Sequence, residues 1–173
     1  MTNFSQKIND EEKHIKDYIM KAFENPFIKD RMSELKKYDK CTFYHSINVT
    51  VESLRIALND PGFNAGDFEN LTVSALLHDI GKTKIPVDLL KQKEDFTKKE
   101  FSELKKHAEY GAAIIEESKL FDKGVSDAVL MHHENFNNTG YYKISHEKIS
   151  KYAYIIRIAD TFDAMTSNRP YHN

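Results

Sequence analysis

Several residue types that mark other classes of protein are scarce in this chain. Its one cysteine, Cys41, excludes a framework of internal disulfides and is typical of a reducing cytosol. Six glycines and four prolines leave too few turn residues for an all-β fold. No apolar run approaches the roughly 20 residues of a membrane-spanning helix, and the N-terminus lacks the features of a signal peptide. We therefore expect a cytoplasmic, mostly helical protein without a membrane partner.

The charge balance narrows the choice of partners. The formal net charge is -2 and the isoelectric point is about 6.4. Domains that bind a nucleic-acid polymer are usually basic, so this class of partner is not expected. Basic residues can still line a site for a small anion. The 173 residues, 40% of them apolar, suit one domain with its own hydrophobic core.

Apolar residues recur at helical spacing along most of the chain, which predicts an all-α, single-domain helical bundle. The predicted helices span about residues 9–23, 27–38, 42–58, 71–80, 87–91, 97–118, 122–134 and 147–167. Thr97 and Glu100 are predicted to form a capping box, with Phe96 and Phe101 as its hydrophobic staple. The polar, aromatic stretch 135–142 is predicted to be a loop.

Side chains that commonly bind metals stand at helix ends or on apolar helix faces in five places. They are His45, His78-Asp79, His107, His132-His133 and Asp160. The pair His78-Asp79 alone has a simpler explanation, in which Gly81 ends a helix and both side chains face solvent. Together, however, five imidazoles and two carboxylates are too many for one tetrahedral zinc ion and suit two octahedral cations that share a carboxylate.

Two such cations would generate a bridging hydroxide near neutral pH and contact both oxygens of an in-line phosphoryl displacement. Lys82 would then contact a substrate phosphate as a point charge. This chemistry predicts a phosphohydrolase.

The order of these residues resembles the HD superfamily of metal-dependent phosphohydrolases, and in detail its HD-GYP branch, which is known for hydrolysing cyclic di-GMP. The matching segments are His78–Lys82 with Ile85-Pro86, Lys106–Gly111, His132–Glu134 with Gly140-Tyr141, and Ile158–Tyr171. The resemblance covers about residues 42–173. It implies N-terminal helices (1–40) packed on the core of an HD-GYP-like domain (41–173).

The resemblance also implies a role for each matching residue. The ligands of one metal would be His45, His78, Asp79 and Asp160, and those of the second would be Asp79, His107, His132 and His133. The metals are expected to be two divalent ions, iron or manganese. Asp79 and Lys82 would be catalytic, with Lys82 near the scissile phosphate. Tyr141 and Arg169 would hold the dinucleotide, and Asp163 would be a carboxylate behind the metal ligands.

The sequence departs from the HD-GYP pattern at three points. Cys41 stands where members with a third metal have a glutamate, which favours a centre of two metals. The loop that usually resembles Asp-Gly-x-Gly-Tyr-Pro is here Asn137–Tyr142, without the Asp-Gly and the proline. Family members continue for another helix or more beyond the Arg-Pro-Tyr at 169–171. We therefore expect either a piece of a longer protein or a minimal domain that lacks this C-terminal helix.

The expected activity is hydrolysis of cyclic di-GMP to linear pGpG, either stopping there or continuing to GMP. Two alternatives remain open. One is an HD phosphohydrolase that acts on another nucleotide, such as a deoxynucleotide or guanosine tetraphosphate. The other is a catalytically weak signalling module that binds cyclic di-GMP or a protein. Protein signalling partners or a homodimer are compatible with each of these functions.

Overall fold

The computed structural model of the chain describes residues 4–92 and 95–167. Within these ranges it forms eight α-helices and no strand, so the predicted all-α fold is confirmed. The helices are α1 (Phe4–Glu24), α2 (Pro26–Tyr38), α3 (Lys40–Ala57), α4 (Ala65–Leu77), α5 (Val87–Leu90), α6 (Lys98–Ser118), α7 (Lys123–Met131) and α8 (Lys151–Thr166). Two 3₁₀ turns span Ile80–Lys84 and His146–Lys148. In the described part of the chain, none of the helices has the length and apolarity to cross a membrane.

Polar side chains define where most of these helices begin. Asn25, Asp39 and Ser150 each accept a hydrogen bond from a backbone amide in the first turn of the helix that follows. Thr97 and Glu100 form the predicted capping box at the start of α6. Each such cap stabilises its helix by about 1 kcal/mol, so the helix starts follow from local sequence.

Three helix starts differ from the prediction by four residues or more. Helix α1 begins at Phe4 rather than at about residue 9, and capping residues set the other two starts. Helix α4 begins at Ala65 rather than at residue 71, because Asn64 and Asp67 form a second capping box at its N-terminus. Helix α8 begins at Lys151 rather than at residue 147, since a 3₁₀ turn occupies 146–148 and Ser150 caps the helix. In both cases the apolar pattern identified the helix, and the capping residue set its first turn.

Helix α4 lies at the centre of the molecule. Every residue from Leu71 to Leu77 is buried, as expected for a helix that is apolar on all sides. Leu71 and Ala75 pack in one hydrophobic cluster with residues of α1, α3, α7 and α8. Leu76 and Leu77 pack in a second cluster with residues of α2, α6 and α7. This double burial carries the residues that follow α4 into the interior.

The N-terminal helices contribute to both clusters. Ile15 of α1 packs in the first cluster, and Ile28, Met32 and Leu35 of α2 pack in the second. The predicted division between residues 40 and 41 stays a prediction.

Two glycines allow the turn after α4 to touch α6. A Cβ atom on Gly81 would lie 1.9 Å from the carbonyl oxygen of His107 and 2.5 Å from the amide nitrogen of Gly111. No described glycine has a positive φ, so Gly81 is not a left-handed helix terminator. Its lack of a side chain instead brings His78 and Asp79 against the face of α6 that carries His107. The solvent-facing explanation of His78-Asp79 is therefore wrong.

Substitution of Gly81 by alanine should destabilise the fold strongly. Both atoms that the new Cβ would meet belong to backbone, which cannot move without displacing α6, so we expect a loss of about 3 kcal/mol or more. Urea denaturation measures this change. Gly124→Ala is the matched control, since a Cβ there meets only the Tyr152 ring at an ordinary 3.8 Å. Equal midpoints for Gly81→Ala and the wild type would contradict the close-approach explanation.

Candidate metal centre

Five elements of the fold bring the predicted ligands together. They are His45 on α3, His78 and Asp79 after α4, His107 on α6, His132 and His133 after α7, and Asp160 on α8. Five of the seven are buried, and His133 and Asp160 are nearly so. Polar groups at this depth require partners, because an unpaired charge is costly to bury.

The first group consists of His45, His78 and Asp79, whose potential ligand atoms all lie within 4.8 Å of one another. Oδ2 of Asp79 is 3.4 Å from Nε2 of His78 and 3.9 Å from Nε2 of His45. Asp160 joins this side of the centre, with Oδ1 3.0 Å from Nε2 of His45. These donors form a mixed nitrogen and oxygen set.

The second group consists of His107, His132 and His133, which also meet the 4.8 Å criterion. Nε2 of His107 lies 3.3 Å from Nε2 of His132. Oδ1 of Asp79 is 3.5 Å from Nε2 of His107. The two oxygens of Asp79 thus face different groups, which is the geometry that a bridging carboxylate requires.

Backbone carbonyls orient three of the imidazoles. Nδ1 of His78, His107 and His132 donates to the carbonyl three residues earlier, at 2.8, 2.6 and 2.6 Å. A carbonyl only accepts, so the hydrogen-bond network assigns the proton to Nδ1 and leaves a lone pair on Nε2. Each Nε2 therefore points into the centre as a metal ligand would.

Several ligand-type atoms of the centre are buried without a hydrogen-bond donor opposite them. Among the described residues, Nε2 of His78 and Oδ1 of Asp79 are buried without a hydrogen-bond partner. The Nε2 lone pairs of His107 and His132 face each other across 3.3 Å. Divalent cations bound between these atoms would satisfy them all, and imidazole with carboxylate suits transition-metal ions. The residues present therefore fit a metal centre.

Burial keeps the second group of histidines neutral. It lowers the pKa of His107 to about 4 and that of His133 to about 3, and it holds the pKa of His132 well below its usual value. Neutral imidazole is the form that binds a metal. Burial alone would raise the pKa of Asp79, but the Lys82 ammonium and the His78 ring outweigh it and keep this carboxylate ionised.

Asp163, for which the resemblance implies a place behind the metal ligands, contacts His45 from outside the centre. Its carboxylate accepts hydrogen bonds from Nδ1 of His45 at 2.6 Å, Nδ2 of Asn48 at 2.9 Å and Oγ of Ser167 at 2.7 Å. The contact with His45 directs the other ring nitrogen toward Asp160 and the first group. Asn48 and Ser167 in turn hold the carboxylate, and neither was identified from the sequence.

The predicted substrate contacts lie at the edge of the centre. Nζ of Lys82 is 2.5 Å from Oδ2 of Asp79, and its side chain remains partly exposed. The Tyr141 ring lies on that of His133, with centroids 4.3 Å apart and planes 33° apart. Burial and the nearby carboxylates raise the pKa of Tyr141 to about 12, so its hydroxyl stays protonated. Arg169 lies outside the described residues.

Glu134 organises the loop that carries Tyr141, a role that was not predicted from the sequence. Its buried carboxylate accepts hydrogen bonds from the amides of Tyr142 at 2.7 Å and Ile144 at 3.0 Å. A Cβ on Gly140 would lie 2.5 Å from Cα of Glu134, so the loop packs directly against it. The sequence does contain a signal for this role: a carboxylate directly after two ligand-type histidines and before a loop whose backbone amides need hydrogen-bond acceptors.

The fold and the site define a class of protein: an all-α bundle with a buried histidine–aspartate centre suited to divalent cations. The family described as "HD domain" matches residues 24–173, and the chain belongs to this family. The predicted HD relationship is therefore confirmed, and HD-domain phosphohydrolases depend on metals.

Relatives of known name agree with the HD-GYP resemblance. A protein named cyclic di-GMP phosphodiesterase from Pseudomonas aeruginosa is 33% identical over 142 residues, which cover 79% of this chain and 33% of the relative. A cyclic di-GMP phosphodiesterase from Thermotoga maritima is 33% identical over 160 residues, which cover 91% of this chain and 42% of the relative. The chain thus spans less than half the length of either relative.

Two further comparisons concern substrate type and fold. A 3′3′-cGAMP-specific phosphodiesterase from Vibrio cholerae is 34% identical over 97 residues, covering 55% of this chain and 19% of the relative. The solved structure of an HDG"Y"P protein from Bdellovibrio bacteriovorus aligns with a TM-score of 0.60 at 20% identity. This alignment covers 95% of this chain and 61% of that chain. At this identity, the structural likeness supports the fold alone.

Replacement of Glu134 by glutamine should release the loop. In glutamine, an NH₂ group replaces one of the two accepting oxygens and faces a backbone N–H that is itself a donor. One charge-assisted hydrogen bond is therefore lost, and a buried donor is left unpaired. We expect a loss of about 1–3 kcal/mol and faster chymotryptic cleavage at Tyr141 and Tyr142. Glu147→Gln is the control, since this carboxylate is exposed. Cleavage at the wild-type rate in Glu134→Gln would contradict the assigned role.

Proposed function

We propose that this protein is a metal-dependent phosphodiesterase that opens cyclic di-GMP to linear pGpG. The observation that carries this proposal is the position of Asp79, whose two oxygens face two separate groups of inward-pointing imidazoles. Membership of the HD-domain family and relatives named as cyclic di-GMP phosphodiesterases support the substrate class. Continuation to GMP is a second step that product analysis distinguishes.

The proposed cofactors are two divalent cations, iron or manganese. One would be held by His45, His78, Asp79 and Asp160, and the other by Asp79, His107, His132 and His133. When bound, such a pair supplies an activated water nucleophile and neutralises charge on the phosphoryl oxygens. The donor set supports this assignment, since imidazole and carboxylate ligands suit redox-capable or hard divalent ions.

The surrounding side chains have distinct proposed tasks. Lys82 stands beside Asp79 at the partly exposed edge and donates to a phosphoryl oxygen, where it stabilises the charge that develops in the transition state. Asp163 keeps His45 in the orientation that presents Nε2 to the centre. The protonated hydroxyl of Tyr141 is available as a hydrogen-bond donor to the dinucleotide. Arg169 stays a predicted contact to the same ligand.

Removal of His78 or Asp79 should abolish bound metal and hydrolysis together. We expect His78→Ala and Asp79→Ala to retain less than a tenth of the wild-type metal after anaerobic purification, with no detectable pGpG. Elemental analysis followed by a product assay measures both quantities. His14→Ala is the matched control, because this histidine is exposed on α1. Full turnover by metal-free Asp79→Ala would overturn the proposed mechanism.

The altered loop favours a second candidate, hydrolysis of a different nucleotide. Asn137–Tyr142 lacks the Asp-Gly and proline of the usual pattern, and one relative is named for 3′3′-cGAMP rather than cyclic di-GMP. A panel of the metal-loaded protein against cyclic di-GMP, 3′3′-cGAMP, deoxynucleotides and guanosine tetraphosphate separates these substrates by kcat/KM. We expect cyclic di-GMP to have the highest value, and a tenfold preference for a mononucleotide would favour the alternative.

The same assay tests a function in signalling without turnover. Tight binding of cyclic di-GMP at full metal occupancy, with no product over hours, would identify a binding module. Such a module would act through a protein partner or a second copy of the chain.

A further inference from the structure

We propose that Phe101, Lys105 and Tyr141 form a binding site for one purine base, with a preference for guanine. We call these three residues the base site. The inference rests on the proposed function, because it requires a nucleotide phosphate at the neighbouring metal centre.

The base site is continuous with the metal centre. The Tyr141 ring lies 4.3 Å from the His133 ring and 6.2 Å from the His107 ring, measured between centroids. The Phe101 ring follows on the other side of Tyr141, at 6.0 Å and an angle of 81°. The rings of Tyr141 and Phe101 therefore lie beside any nucleotide whose phosphate is bound at the metal centre.

The ammonium group of Lys105 lies over both of these rings. Its Nζ lies 4.9 Å from the Phe101 centroid and 5.0 Å from the Tyr141 centroid. Within the part of the chain that the structure describes, no carboxylate pairs with this ammonium. The neighbouring Lys106 differs, since its Nζ lies 2.5 Å from Oε2 of Glu103. Lys105 thus retains donor capacity that a ligand can use.

The loop and α6 are tied together at this position. The backbone carbonyl of Lys105 accepts a hydrogen bond from the Tyr142 hydroxyl at 3.1 Å. Glu134 holds the amide of the same tyrosine, as described above. Tyr142 therefore makes one contact through its hydroxyl and one through its amide, and these two contacts fix the position of the neighbouring Tyr141 relative to Lys105.

The ring of Phe101 is not part of the hydrophobic core. The side chain is 43% exposed, and Phe96, its predicted partner in a hydrophobic staple, is 39% exposed. An exposed ring beside a cation and a second ring is suited to stack a base, since every base offers a π-face. A lysine ammonium donates to O6 and N7 of guanine, whereas adenine presents an amino donor in place of O6.

Equilibrium binding of three small probes tests the base site. GMP, AMP and ribose 5-phosphate share a phosphate and differ in the base. For the metal-loaded wild type we expect affinity to fall in that order, with GMP about tenfold tighter than ribose 5-phosphate. Phe101→Leu should weaken GMP binding to near the level of ribose 5-phosphate, because the stacking ring is lost. Lys105→Met should weaken GMP binding to the level of AMP, which removes the difference between the two nucleotides.

Matched controls come from the same helix and its start. Phe96→Leu changes an equally exposed ring, and Lys106→Met removes the neighbouring cation, so both should bind GMP as the wild type does. Lys105→Gln provides a second variant in case the methionine lowers the melting temperature. The base site would be refuted if GMP bound the wild type no better than ribose 5-phosphate, or if the Phe101 and Lys105 variants kept the wild-type affinity for GMP.

Turnover measured in parallel separates this inference from the proposed function. A wild type that does not hydrolyse cyclic di-GMP, but whose preference for GMP is lost in Lys105→Met, refutes the phosphodiesterase and supports the base site. A wild type that hydrolyses cyclic di-GMP, with KM unchanged in Phe101→Leu and Lys105→Met, supports the phosphodiesterase and refutes the base site.

Discussion

A buried carboxylate requires compensating positive charge, and the arrangement around Asp79 follows from this constraint. Only 1% of this residue is exposed, because α4 is apolar on all sides and carries its C-terminal end into the interior. Lys82 compensates one oxygen from the edge. His78 lies near the same oxygen and His107 near the other one. The Nδ1 atoms of both rings are committed to backbone carbonyls, so their inner nitrogens are left to face the carboxylate. Cations are the groups that satisfy both the carboxylate and these nitrogens.

Close packing of backbone against backbone fixes where Asp79 lies relative to the surrounding histidines. Gly81 and Gly111 let the turn after α4 touch α6, which brings Asp79 and His107 within 3.5 Å. On the opposite side, Glu134 directly follows the histidine pair and holds the loop amides, so the Tyr141 ring lies on His133. The proposed metal centre and the proposed base site therefore share one scaffold, in which α6 supplies His107, Phe101 and Lys105.

Local sequence was sufficient to predict most of the helices. The capping box of Thr97 and Glu100 identified α6, and apolar periodicity identified α1 to α3 and α7. The first turn of α4 was missed, although Asn64 and Asp67 form an equally local signal. Glycine was harder to interpret, because Gly81 suits a helix terminator by sequence and a close helix contact in the structure. That choice depends on His107, 26 positions further along the chain.

By itself, the sequence determined the helical class, the identities of the seven candidate ligands and the family resemblance, because periodicity, caps and short motifs act over a few neighbouring residues. Only the tertiary structure decided that Asp79 lies between two groups of imidazoles, that Asp163 orients His45, and that Glu134 and Lys105 meet the loop of Tyr141. These relations join residues as much as 118 positions apart. They arise from how buried helices pack, and no local pattern encodes which side chains such packing brings within a few ångström.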